Sequence, residues 1–331
     1  MDSPGSIGGT PKLRIVFCGT PQFAIPTLKH LLAQPDFEGI AVITQPDRPS
    51  GRGQEVSISA VKQAALAANL PVHQPEKIRA PEAQRVLQQL SPDVIVIIAY
   101  GQIIPARLLS IPKLGWINLH ASLLPKYRGA APINWAIANG ETKTAVTTMR
   151  IDAGMDTGDT LLQHETEIGP KETAPELTLR LSEIGAPLMV ETLRGLAAGT
   201  IVPRPQNHAE ATLAPILKKE DGRIDWNRPA HETYNRMRAF TPWPGAYTTF
   251  RGQTCHVLGE PAHKEVSGSL TVTLNDAPGS IRFESRELFV SCGHATVLRV
   301  QTVKVEGRKQ VSASEFANGA RLKPGERFGH T

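Results

Sequence analysis

Short apolar runs alternate with helical spacing through the N-terminal half of the chain. Leu13–Phe17 is an apolar run with β-branched residues, closed at once by Gly19-Thr20-Pro21, and predicts a buried strand ending in a turn. Phe23–Leu32 then places apolar residues at helical spacing, and Ile40–Thr44 reads as a second strand. Ser57–Ala68 reads as a helix with Ser57 or Ser59 as its N-cap, and Pro81–Leu90 as a helix with a polar face. Val94–Ala99 is apolar at every position, as a central parallel strand must be. A strand over Trp116–Leu119, a helix over Pro132–Asn139, strands over Ala145–Arg150 and Thr160–His164, and a long helix over Ala174–Ala198 complete the series. This alternation predicts an α/β domain, residues 13–200, on a Rossmann-like, doubly wound parallel sheet.

The texture changes after Gly199. Ile201–Pro215 holds three prolines and little periodicity, so residues 201–217 read as a linker. Residues 218–331 then carry one short helix near His231–Ala239 and a series of short strands. The strand candidates are Thr248–Phe250, Thr254–Val257, Leu270–Leu274, Ser280–Phe283, Leu288–Ser291 and Thr296–Lys304. Many short strands separated by Gly, Pro and Asn predict a small β-barrel of the OB type. Residues 1–12 read as a flexible extension.

Charge refines this division. The net charge is +5, and residues 211–331 hold 17 basic against 12 acidic side chains, so the rest of the chain is neutral. The excess suits a polyanionic partner of the C-terminal third, or is a chance imbalance of a solvated surface. Cys18, Cys255 and Cys292 are far apart, without a Cys-x-x-Cys pair, which speaks against a disulfide framework or zinc site and fits a reducing cytoplasm. No apolar stretch reaches the ~18 residues of a membrane helix, and the N-terminus lacks the pattern of a secretory signal.

Candidate chemistry collects at strand ends. Gly19 stands without the further glycines of a dinucleotide loop, and no Walker loop occurs. Asn118 and His120 fall on one face of a strand, placing an amide donor beside an imidazole, the minimum equipment for acyl transfer. Taken alone, strand-closing polar residues are the commoner role for such a pair. The loop Ile151–Asp159 has three aspartates. It could hold a metal, although it lacks the distant Glu of a calcium loop. It could present one carboxylate to a histidine, charging it and fixing its tautomer, or be a turn without a role. Gln45–Gly53 is rich in Pro and Gly, reads as irregular, and carries Arg48 and Arg52. It suits a mobile loop closing on phosphates, or equally a solvated surface loop.

Several runs together resemble the methionyl-tRNA formyltransferases, within the wider folate-dependent formyltransferase family. They are Gly19-Thr20-Pro21-x-Phe23-Ala24, Thr44-Gln45-Pro46-Asp47-Arg48-Pro49-x-Gly51-Arg52-Gly53, and Ala99-Tyr100-Gly101. Further on come Asn118-x-His120-x-Ser122-Leu123-Leu124-Pro125-x-Tyr127-Arg128-Gly129-Ala130-Ala131-Pro132-Ile133, Met155-Asp156-Thr157-Gly158-Asp159, Arg223-Ile224-Asp225-Trp226 and Arg238-Ala239-Phe240-x-Pro242-Trp243-Pro244. The resemblance implies Asn118, His120 and Asp156 as catalytic residues and Ser122, Leu123, Leu124 and Pro125 as the tetrahydrofolate-binding segment. It implies that Arg52, in a loop shared with Arg48, contacts the tRNA acceptor end. It further implies 10-formyltetrahydrofolate as donor, methionyl-initiator tRNA as acceptor, no metal in the chemistry, and a monomer whose C-terminal barrel grips tRNA. Ala121 stands where the family has Gly or Pro, which bears on the width of the folate entrance. A formyltransferase acting on a nucleotide-linked amino sugar, and a non-catalytic RNA-binding protein, are the alternative expectations.

Overall fold

In the computed structural model, residues 11–50, 55–262 and 276–329 are described. Most of the expected N-terminal extension, Arg52, and the strand expected over Leu270–Leu274 lie outside the described residues. Contacts divide the chain into two compact units. One holds the chain up to Gly129 with Thr144–Thr166 and Thr178–Leu213; the other holds Ala130–Lys143, Glu167–Leu177 and the chain from Ala214 on.

The first unit is built on a seven-stranded sheet. Its strands are β1 (Leu13–Gly19), β2 (Phe37–Ile43), β5 (Val72–His73), β6 (Val94–Ile98), β7 (Trp116–His120), β8 (Lys143–Arg150) and β9 (Thr160–Glu167), in the order β5-β2-β1-β6-β7-β8-β9. β1 pairs in parallel with β2 and β6, and β6 with β7. Every residue of β6 and β7 is buried, which explains the unbroken apolar run of the central strand. Helices α1 (Ile25–Leu32), α2 (Ala60–Ala67), α3 (Pro81–Leu90), α4 (Ala106–Leu109) and the 25-residue α6 (Ala174–Ala198) accompany these strands. Ser59 caps α2 by accepting from the Lys62 amide, and Pro81 opens α3 at the position where its missing N–H costs nothing. On α6, a Cβ at Gly185 would come within 2.5 Å of Leu119, so a glycine lets the helix approach β7.

Two local features of this unit depart from the simplest reading of the chain. The sheet is mixed, because β8 runs antiparallel to β7, with Ile117 opposite Arg150 and His120 opposite Thr147. The β8 residue Thr147 therefore lies beside His120, at the carboxyl end of β7. The Gln45–Gly53 region is also more regular than its composition suggests. Arg48–Ser50 (β3) pairs antiparallel with Glu55–Ser57 (β4). A two-stranded ribbon has only edge strands, where Pro49 is tolerated.

The second unit holds a six-stranded antiparallel sheet. β10 (Tyr247–Phe250), β11 (Gln253–Pro261), β14 (Thr296–Val305), β13 (Glu287–Cys292) and β12 (Ile281–Glu284) lie in that order, and β15 (Val311–Ser312) pairs with β14. Its core packs Trp226 against Phe328 (centroids 5.8 Å apart, stacked), and Phe250 edge-on to Phe316 at 5.2 Å. Each such buried ring contributes ~1.5–3 kcal/mol from area alone. Helices α5 (Pro132–Ala138) and α7 (Ala230–Ala239) are joined by a hydrogen bond from the Asn134 amide to the Ala239 carbonyl. Among the described residues no helix is long and apolar enough to cross a membrane.

Candidate active site

Alternation along β7 puts Trp116 into the apolar cluster that includes Val16, Ile95 and Leu108, and carries Asn118 and His120 further along the same face. Both are buried, at 9 % and 6 % exposure. The His120 Nε2 lies 2.9 Å from the Tyr127 carbonyl oxygen. A carbonyl only accepts, so Nε2 carries the hydrogen and donates it. The other ring nitrogen, Nδ1, then faces the Asp156 Oδ2 at 3.7 Å. Asn118 pairs with Ile97 of β6 on one side and Met149 of β8 on the other. Its carboxamide forms no hydrogen bond among the described residues.

The carbonyl that fixes His120 belongs to a strained residue. Tyr127 has φ 61, a left-handed conformation that costs a bulky residue ~1–3 kcal/mol. Thr212 holds it there: its hydroxyl accepts from the Tyr127 amide at 2.9 Å and its carbonyl from the Arg128 amide at 2.9 Å. The preceding turn is equally tied. The Ser122 hydroxyl, fully buried, donates to the Lys126 carbonyl at 2.6 Å. Thr147 donates to the Ser122 carbonyl, and Gln163 to the Leu124 carbonyl. Within Ser122–Pro125 the side chains of Ser122 and Leu124 are buried, and those of Leu123 and Pro125 are half-buried.

β8 ends opposite Ile117, near the start of β7, so the loop Ile151–Asp159 has to double back to bring a residue to His120. Asp152 is used inside the loop, accepting from the Gly154 amide and the Thr157 hydroxyl. Asp156 has φ 53, which an Asp adopts at modest cost. Its Oδ2 accepts from the Gly129 amide at 2.8 Å while facing His120. Of the three sequence readings of this loop, the geometry has a carboxylate presented to a histidine. Among the described residues no three His, Cys, Asp or Glu side chains group to hold a metal ion.

Gln206 is the site residue that sequence reasoning missed. It is buried, and its Nε2 donates to the Asp156 carbonyl at 3.0 Å and the Gly158 carbonyl at 2.7 Å. It lies in the Pro-rich stretch read as a linker, where a single amide has no periodic or motif signal.

Near the carboxyl ends of β2 and β6 a second polar network roots the β3–β4 hairpin. Gln45 donates to the Tyr100 carbonyl, and Gln102 donates to Gln45. Gln74 donates to Asp47 at 2.8 Å, and Lys62 pairs with the same carboxylate. The Lys62 ammonium first, and then the Gln74 amide, hold the Asp47 carboxyl below the usual range. Arg48, the first residue of the hairpin, is exposed. The Tyr100 hydroxyl is buried with no partner among the described residues, and burial raises its pKa.

A carboxamide, an imidazole and a carboxylate gathered at the carboxyl end of a Rossmann-like sheet are the equipment of group transfer at a carbonyl carbon. Residues 13–193 match the family model described as formyl transferase, and residues 216–321 the one described as formyl transferase, C-terminal domain. A methionyl-tRNA formyltransferase of Solibacter usitatus (strain Ellin6076) is 54% identical over 317 residues, 96% of this chain and 99% of that protein. One of Koribacter versatilis (strain Ellin345) is 52% identical over 316 residues, 95% of this chain and 98% of that protein. The chain belongs to the methionyl-tRNA formyltransferase family. In fold it is similar to the crystal structure of WlaRD, a sugar 3N-formyl transferase solved in the presence of dTDP and 5-N-formyl-THF. The TM-score is 0.64 at 18% identity, covering 91% of this chain and 100% of that one.

Proposed function

We propose that this protein transfers the formyl group of 10-formyltetrahydrofolate to the free amine of methionyl-initiator tRNA, supplying the initiator for translation. The observation that carries the reading is the assembly of Asn118, His120 and Asp156, with Asp156 Oδ2 at 3.7 Å from His120 Nδ1, in a chain 54% identical to a methionyl-tRNA formyltransferase. The amine attacks the formyl carbon, giving a tetrahedral intermediate with a negative oxygen. The Asn118 carboxamide donates to that oxygen; removal of one such donor typically costs ~10²–10³ in rate. Because Nε2 is held by the Tyr127 carbonyl, the mobile proton of His120 is the one on Nδ1. The amine loses its proton to Asp156 through a water. Nδ1 gives its proton to the folate nitrogen as the carbon–nitrogen bond breaks, and Asp156 returns a proton to Nδ1. Protons balance: one leaves the amine and one arrives on the leaving nitrogen.

The Ser122–Pro125 turn, with half-buried Leu123 and Pro125, fits the flat pteridine of the donor. Arg48 and Arg52, with the basic excess of residues 211–331, meet the tRNA phosphates. We assign catalysis to residues 13–200 and tRNA binding to residues 218–331, joined through 201–217, in a protein acting as a cytoplasmic monomer. The family-model boundaries support that division. An amino-sugar acceptor is disfavoured by the contrast between 54% and 18% identity. The test is formylation of charged initiator tRNA with labelled 10-formyltetrahydrofolate. Transfer to initiator and not to elongator methionyl-tRNA is expected; labelling of an amino sugar instead would overturn the reading.

A further inference from the structure

We infer that Gln206 is a positioning residue for the transfer reaction, acting by clamping the Asp156 loop; this rests on the function proposed above. Every hydrogen-bonding valence of the Gln206 amide is engaged. Both Nε2 hydrogens go to carbonyls of the loop, those of Asp156 at 3.0 Å and Gly158 at 2.7 Å. The Oε1 accepts from Arg128 Nε at 3.1 Å and Nη2 at 2.7 Å. Arg128 itself is 6 % exposed, and its remaining terminal nitrogen, Nη1, lies 3.1 Å from His208 Nδ1.

The residues so joined are the neighbours of the reacting groups. Arg128 directly follows Tyr127, whose carbonyl fixes His120, and precedes Gly129, whose amide donates to the Asp156 carboxylate. Gln206 thus bridges the segment that orients His120 to the loop that carries its acid. The clamp has its own anchors. A pair of backbone hydrogen bonds between Arg204 and Thr160, both 2.9 Å, fixes the chain just before Gln206. Asn207 opens the short turn that holds His208, and a bridge between Leu213 and Arg128 fixes the chain beyond. This arrangement matters because the Asp156–His120 separation of 3.7 Å exceeds an ordinary hydrogen bond. A loop free to drift by ~1 Å would decide whether the pair engages, and such a misplacement can cost ~10²-fold in rate.

Gln206→Glu separates the two halves of the clamp. A carboxylate still accepts from Arg128 but cannot donate to the Asp156 and Gly158 carbonyls. We expect this variant to keep the melting temperature and the KM for charged tRNA within twofold of wild type while kcat falls ~10–100-fold. Gln206→Leu, which removes both halves, is expected to lose kcat at least as far. In an Asp156→Asn background the further loss from Gln206→Glu should vanish, because the clamp then has nothing left to position. Wild-type turnover of Gln206→Glu, or a loss that multiplies undiminished in the Asp156→Asn background, would overturn the inference while leaving the proposed function standing. Failure of the wild-type protein to formylate charged tRNA would instead bring down both.

Discussion

Gly158→Ala tests whether the Asp156 loop is as tightly held as its geometry requires. A Cβ built at Gly158 would lie 2.0 Å from the Arg150 carbonyl oxygen and 3.0 Å from its carbon, where ordinary contact begins at 3.4 Å. Relief requires about 1.4 Å of movement. The opposing group is strand backbone, because Arg150 ends β8 and pairs with Ile117, so the loop has to yield. That motion pulls the Gly158 carbonyl from Gln206 and carries Asp156 with it. Overpacking of this kind costs ~1–3 kcal/mol of stability, and a displacement near 1 Å costs ~10²-fold in rate. The expected outcome is a folded protein with a modestly lower melting temperature, a kcat reduced ~10²-fold, and a KM for charged tRNA changed less than threefold. Steady-state formylation kinetics with a thermal melt measure all three. Wild-type kcat in this variant would refute the reasoning, since the loop would then have room that the structure denies it.

Asn118→Ala should lower kcat ~10²–10³-fold with the fold retained, measured in the same assay. Asp47→Asn removes the ion pair with Lys62 but keeps an acceptor for Gln74, so the KM for charged tRNA should rise a few-fold while that for the folate donor stays unchanged. The same pair gives a pH dependence. The folded-state pKa of Asp47 is depressed, so hairpin anchoring is present above the usual carboxylate pKa and is lost as pH falls through the lowered one. The wild-type KM for tRNA should therefore rise toward that of Asp47→Asn only on strong acidification, as a KM series against pH would show. Burial pushes the thiols of Cys255 and Cys292 up to about 12 and that of Cys18 well above its ordinary value. At pH 8 a thiol reagent should label none of the three until the protein is denatured; rapid labelling of the native protein would contradict their burial.

Much of the first unit is legible in the chain because its signals are periodic. Pro81–Leu90 and Ala174–Ala198 are helices with the bounds that their spacing predicts, and the unbroken apolar run at Val94 is a central strand. The direction of β8 was not legible for a physical reason. Its six inner residues are all buried, and such a strand has the same composition whichever way it runs. Pro and Gly hid the β3–β4 ribbon, since those residues mark a turn and equally an edge hairpin.

That Asn118 and His120 share one strand face is legible because side chains on a strand obey a period of two, while their candidacy for chemistry rests on the neighbouring runs that carry the family resemblance. What sets their state is not legible. His120 is fixed by the Tyr127 carbonyl, and the Asp156 loop by Gln206 through two more carbonyls. Backbone acceptors exist at every residue and carry no signature. Their effect depends on conformations, φ 61 at Tyr127 and φ 53 at Asp156, that only the surrounding contacts impose. Gln206 is therefore a stricter test of the site than the side chains proposed for catalysis. Loss of His120 or Asp156 would abolish many kinds of chemistry. Loss of an amide whose two hydrogens both end on the Asp156 loop reports on the geometry by which this fold brings acid and imidazole together.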